Sequence, residues 1–163
     1  MMHKPSFWRG YLLGLMLPLA LGLGAIYYLF LRQPDIALAD MGLLDLNGQP
    51  VSVREFAGQR VVVDYWATWC GPCIEEFAVF EKIKKDLPPG VVLLMVSDEP
   101  APKIQAFLRK RPFSFRFLRV RRPLPGVNSR PVTYVYDASG ALVAKDAGAI
   151  EAPARLRALV LAQ

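Results

Sequence analysis

The stretch from Val61 to Cys73, VVVDYWATWCGPC, constrains this chain more than any other. A β-branched apolar run of strand type leads into a C-x-x-C pair where a helical pattern begins. Cys70 and Cys73 are the only cysteines. Proline suits the first turn of a helix, so Pro72 predicts a helix starting beside the pair. The free N–H groups and dipole of a helix N-terminus stabilise a thiolate there. Cys70 is therefore expected to be the exposed, acidified nucleophile and Cys73 the thiol that resolves a mixed disulfide. Two plainer readings compete. A structural disulfide needs neither this setting nor the strand before it. A zinc site needs about four ligands, and the one histidine, His3, lies beyond a long apolar segment, so no metal is expected.

At these residues the sequence resembles the thioredoxin superfamily, and the order of its elements is similar to the membrane-anchored TlpA and ResA-type thiol–disulfide reductases. The likeness covers roughly residues 40 to 163. It implies a buried carboxylate at Asp64 acting as base for Cys73, and a cis proline at Pro131 in Arg130-Pro131-Val132-Thr133. It also implies that Glu76, in the C-x-P-C-x-x-E pattern, tunes the thiols. That branch often carries a proline two residues after this glutamate, where this chain has Ala78, so the kink it would give is in doubt. By the same resemblance Gly71 and Pro72 mark a reducing pair, with a transmembrane thiol donor for electrons. Substrates would be protein disulfides such as apocytochrome or copper-site cysteines. No cofactor beyond the dithiol is implied.

Read from the residues alone, several of these roles stay open. Asp64 is either buried, with its pKa raised, or on an exposed strand face. Glu76 sits one turn after Cys73, and a first-turn acid is also favoured by the helix dipole alone. Trp69 is expected at the surface as a docking plate, and Trp66 in packing. Sequence leaves the Pro131 isomer undecided; a cis bond would offer backbone groups to an extended substrate beside the disulfide. Nine Lys or Arg and no acid lie between Pro100 and Arg130, read as a solvated face or as a basic surface that selects acidic partners.

Residues 10–31 carry no charge and, as a helix, span about 33 Å, enough to cross a bilayer core. Lys4 and Arg9 precede them and Arg32 follows. The positive-inside rule then places residues 1–9 in the cytoplasm and the domain in the periplasm of a bacterial inner membrane. The rival is a cleaved signal peptide ending at Ala39. The apolar run is longer than a signal core and the site lies well past its end, which favours an anchor. Residues 32–40 read as a linker and 41–163 as one domain, long enough for its own core. The expected fold is α/β and thioredoxin-like: a mixed sheet flanked by helices, behind a β-hairpin of Leu43–Leu46 and Val51–Val53 turning at Asn47-Gly48. The net charge of +6 brings no nucleic-acid motif with it, so nucleic acid is not an expected partner. An oxidase, or a tethered redox chaperone or copper-handling module, remains an alternative to the reductase.

Overall fold

The computed structural model describes residues 5–28 and 33–162, with side chains from residue 12 onward. The chain divides into two units, Met1–Gln33 and Pro34–Gln163. In the first, α1 (Pro5–Ile26) is one helix with Pro18 inside it. Its Leu12, Leu13, Leu17 and Leu21 all stand exposed, so it is apolar around its circumference. The expected transmembrane segment over 10–31 is not reproduced as such. The helix begins earlier, residues 29–31 lie outside the described residues, and among the described residues no helix is long and apolar enough to cross a membrane.

The second unit is built on a six-stranded mixed sheet. The strands are β1 (Leu43–Leu44), β2 (Arg60–Tyr65), β3 (Val91–Ser97), β4 (Arg116–Val120), β5 (Val132–Tyr136) and β6 (Leu142–Ala147), in the order β1-β4-β3-β2-β5-β6. β2, β3 and β4 run parallel; β5 and β6 continue antiparallel on one side and β1 closes the other edge. The helices are α2 (Gly71–Lys84), α3 (Ala101–Lys110) and α4 (Pro153–Val160). α2 ends at Lys84, four residues before Pro88. With Ala78 in place of a proline, α2 runs unbroken.

Helices were expected on both faces of the sheet, and this is corrected. Phe77, Phe80 and Ile83 of α2, Ile104 of α3, and Leu156 and Val160 of α4 all pack on the face that carries Val62, Trp66 and Met95. The crossovers β2–α2–β3 and β3–α3–β4 step in the same direction, and right-handed crossovers in one direction place both helices on one face. The opposite face carries Val61, Val63, Tyr65, Tyr134 and Tyr136. It is covered by the N-terminal segment with Ile36, Leu38 and Phe56, and by Leu124 and Val127 of the loop after β4.

Two further expectations change. The 32–40 linker is partly core: Ile36 and Leu38 are buried, a 3-10 turn spans Leu38–Met41, and the Tyr136 hydroxyl donates to the Ile36 carbonyl at 2.7 Å. The β-hairpin is reduced to β1 and one bridge, Leu44 to Pro50. The Asp45 carboxylate takes the Asn47 and Gln49 N–H groups, closing the turn, and a Ser52–Glu55 capping box then starts a 3-10 turn at Val53. Phe113 and Phe115 precede β4 and pack edge-on and stacked around Phe77 with Phe107 and Phe117.

Candidate active site

Cys70 is the N-cap of α2, and its sulfur accepts the Cys73 N–H at 3.2 Å. One of the donors that every helix N-terminus leaves free is thus aimed at this sulfur, where it favours a thiolate over a thiol. Cys70 and Cys73 form a disulfide, with Cα atoms 5.3 Å apart. Cys70 is 4% exposed and Cys73 fully buried. The expectation of an exposed Cys70 is therefore corrected for the oxidised protein, in which each sulfur covers the other. The order of access still favours Cys70. Gly71 and Pro72 are exposed, and so is Trp69, at 66%. Trp66 is fully buried against Phe77, Phe107 and Phe117.

Two buried carboxylates accompany the pair, Asp64 on β2 and Glu76 on α2. Strand alternation puts Asp64 on the same face as Val62 and Trp66, the face under α2. The side chain is fully buried, and neither oxygen has a hydrogen-bond partner. Glu76, one turn beyond Cys73, is turned inward and is also buried, with no side-chain hydrogen-bond partner for either oxygen. The exposed-face alternative for Asp64 is thus out, Glu76 lies beyond the first turn of α2, and Glu75 is exposed. Burial, and then the Glu76 charge, raises the Asp64 pKa well above the usual carboxylate range. Burial pushes Glu76 up to about 7; Asp146 adds to the rise, while the Ile150 backbone and Arg155 oppose it. A buried acid poised near neutrality can take a proton from a thiol and give it up again.

The loop between β2 and α2 is held from the end of β3. Glu99, 7% exposed, accepts the Thr68 N–H at 2.5 Å and the Thr68 hydroxyl at 3.0 Å. Lys103 pairs with it at 2.5 Å, and the Glu99 N–H donates to the Ser97 hydroxyl. Burial alone would raise the Glu99 pKa, but the hydrogen bonds from Lys103 and Thr68 leave it below its ordinary value. On the other side the Arg130–Pro131 bond is cis. Arg130 pairs with Asp98 at 2.7 Å, donates to the Tyr65 hydroxyl at 2.9 Å, and lies over the Tyr65 and Trp69 rings at 4.5 and 5.7 Å. Arg130 is thus a brace between the cis-proline loop, β2 and β3, not a free cation facing a partner. Lys103 and Arg116 of the same basic stretch are also paired, with Glu99 and Glu55.

Asp98, Glu99 and Thr68 were not singled out in the sequence. One signal was present: Asp98 and Glu99 directly follow the carboxyl end of a parallel strand, where α/β sheets gather their sites. Among the described residues no group of three metal-ligating side chains occurs.

Comparison with known proteins agrees with this geometry. Residues 32–162 match the Redoxin family model. The thioredoxin-like protein YneN of Bacillus subtilis is 29% identical over 110 residues, 63% of this chain and 65% of that protein. The thiol-disulfide oxidoreductase ResA of Halalkalibacterium halodurans is 28% identical over 120 residues, 69% of this chain and 67% of that one. The chain thus spans about two thirds of the length of both relatives. A thioredoxin-related protein of Neisseria meningitidis, 24% identical, shares the fold with a TM-score of 0.62 over 72% of this chain and 95% of its own.

Proposed function

The chain belongs to the Redoxin family and carries the Cys70–Cys73 couple of a thiol–disulfide oxidoreductase, and from that premise we propose that it reduces protein disulfides. The carrying observation is the Cys70 sulfur at the N-cap of α2, with Cys73 buried behind it and Glu76 buried one turn further along the same helix. In the reduced protein the Cys70 thiolate attacks a substrate disulfide. A Cys70–substrate S–S bond forms and the first substrate sulfur leaves as a thiolate. Cys73 then passes its proton to the carboxyl pair, and its thiolate attacks the Cys70 sulfur. The mixed disulfide breaks, the second substrate thiolate leaves, and the Cys70–Cys73 disulfide forms. Two electrons have passed to the substrate, whose sulfurs take protons from solvent. Trp69, Gly71, Pro72 and the Arg130–Pro131 loop would frame the docking site.

The proposal extends to location. A tether through residues 10–31 would hold the domain on the periplasmic side of a bacterial inner membrane, and a transmembrane thiol donor would restore the dithiol. The charge-free run supports this, and so does the burial of Ile36 and Leu38, since cleavage after Ala39 would remove both from the core. Apocytochrome c or copper-site thiols are suitable substrates, as the family resemblance implies.

The test is the reduction potential of the full-length chain together with turnover of a protein disulfide. A potential near that of thioredoxin, about −270 mV, with turnover is expected; one near about −120 mV would make the protein an oxidase. Absence of turnover would leave a binding module. Cys73→Ser should accumulate mixed disulfides in cells and Cys70→Ser should not. Equal trapping would remove the division of labour between the sulfurs.

A further inference from the structure

Three polar side chains share one row across the sheet. Asp64 of β2 pairs in register with Thr133 of β5, and Thr133 with Asp146 of β6. Directly paired strand residues project to the same face, so all three point to the side of α2 and α4. Asp64 and Thr133 are buried, and the Thr133 hydroxyl, like both oxygens of Asp64, has no hydrogen-bond partner. The row ends at the sheet edge, where the Asp146 carboxylate, 20% exposed, pairs with Arg155 of α4 at 2.6 Å. α4 packs against α2, which carries Glu76. At the sheet edge the row of polar side chains thus ends in a partly exposed ion pair.

We propose that the Asp146–Arg155 pair is a control element for the buried base, setting from the solvent side how readily Glu76 takes up and releases the proton of the resolving step. Neither residue touches substrate; both are positioning residues acting through Glu76, and the inference rests on the proposed reductase chemistry. The charges facing Glu76 are Asp64 from β2, Asp146 from β6 and Arg155 from α4, with the Ile150 backbone amide from the segment before α4. Asp146 favours a protonated Glu76 and Arg155 an ionised one, and the two partly cancel. Removing one member of the pair leaves the other uncompensated, so the two deletions act in opposite directions.

The experiment uses the full-length chain in mild detergent. Carbon-13 NMR of the oxidised protein gives the titration midpoint of the Glu76 carboxyl. Release of an aromatic thiol chromophore from its mixed disulfide with Cys70 gives the pH profile of resolution. Asp146→Asn should move both the midpoint and the acid limb to lower pH, and Arg155→Gln should move both to higher pH. Each shift should change the rate on the acid limb by about two- to fivefold and shrink at high salt. Arg155→Lys should restore wild-type behaviour. Shifts of the same sign, or no shift of the midpoint in either variant, overturn the inference. Glu76→Gln separates the two readings. If it leaves the acid limb intact, Glu76 is not the base and the reductase mechanism needs revision, while the midpoints still judge the ion pair.

Discussion

Asp64 and Glu76 are the residues whose burial is hardest to explain by stability. Ionising a carboxylate in the interior is costly, so both groups hold their protons to higher pH than in the unfolded chain. Between the ordinary carboxylate range and about pH 7 the folded protein then binds more protons than the unfolded one. Stability is fully retained below the unfolded pKa values and declines as pH rises through the folded ones. Asp64→Asn and Glu76→Gln should therefore both stabilise the protein at pH 8, Glu76→Gln by on the order of 2–3 kcal/mol, and the gain should vanish near pH 4. Urea melts at the two pH values check this; an equal gain at both would point to packing rather than charge. The same variants should slow resolution of the mixed disulfide by ~10²-fold near neutrality, with the defect shrinking at high pH as Cys73 ionises unaided. A wild-type rate in the double variant would send the proton to water.

At the scale of elements, the loop from Trp66 to Cys70 is a connection between β2 and α2 fixed by its neighbours. Glu99 bridges Thr68 and Lys103 with charge-assisted hydrogen bonds, the stronger kind. Glu99→Ala should cost about 1–3 kcal/mol, because it leaves the Thr68 N–H without its acceptor. The Glu99 pKa lies below its unfolded value, so this contribution is present above the ordinary glutamate range and lost as pH falls through the folded pKa. A difference between wild type and Glu99→Ala that persists undiminished at pH 2 would refute the assignment. Arg130→Ala should loosen the cis-proline loop from Tyr65 and Asp98, raising KM for a protein disulfide more than it lowers kcat. The reverse pattern would make Arg130 part of the chemistry.

For the whole molecule, the segment before β1 belongs to the domain. Ile36, Leu38 and Met41 fill the sheet face that α2, α3 and α4 leave uncovered. A domain truncated to begin at Asp40 should be less stable than one beginning at Pro34 by about 2–5 kcal/mol, the burial of two large aliphatic side chains. Equal thermal midpoints would show the segment to be a passive linker. In cells, the mature protein should stay in the membrane fraction and retain Trp8, and a periplasm-active reporter fused after residue 163 should be active. A soluble product beginning at Asp40 would identify the apolar run as a signal peptide.

The sequence by itself determined what local chemistry can specify. β2 and β5 fall where their β-branched runs lie, α2 starts at the proline between the cysteines, and the tight turn at Asp137–Gly140 joins β5 to β6. The cysteine pair and its helix N-terminus were legible for the same reason: all their determinants sit within thirteen residues. Burial at Asp64 was one of two readings, because a carboxylate in a strand carries no mark of which way it faces, and the inward turn of Glu76 was not written in its spacing. Only the tertiary structure decided that both turn inward and share a row ending at Asp146 and Arg155. It also decided that all three domain helices lie on one face, and that residues once read as linker cover the other. Arg130 looked like a free cation until Asp98, 32 positions away, was brought to 2.7 Å from it. Such contacts are made by strand register and crossover handedness, which link residues too distant in the chain for any local pattern to record them.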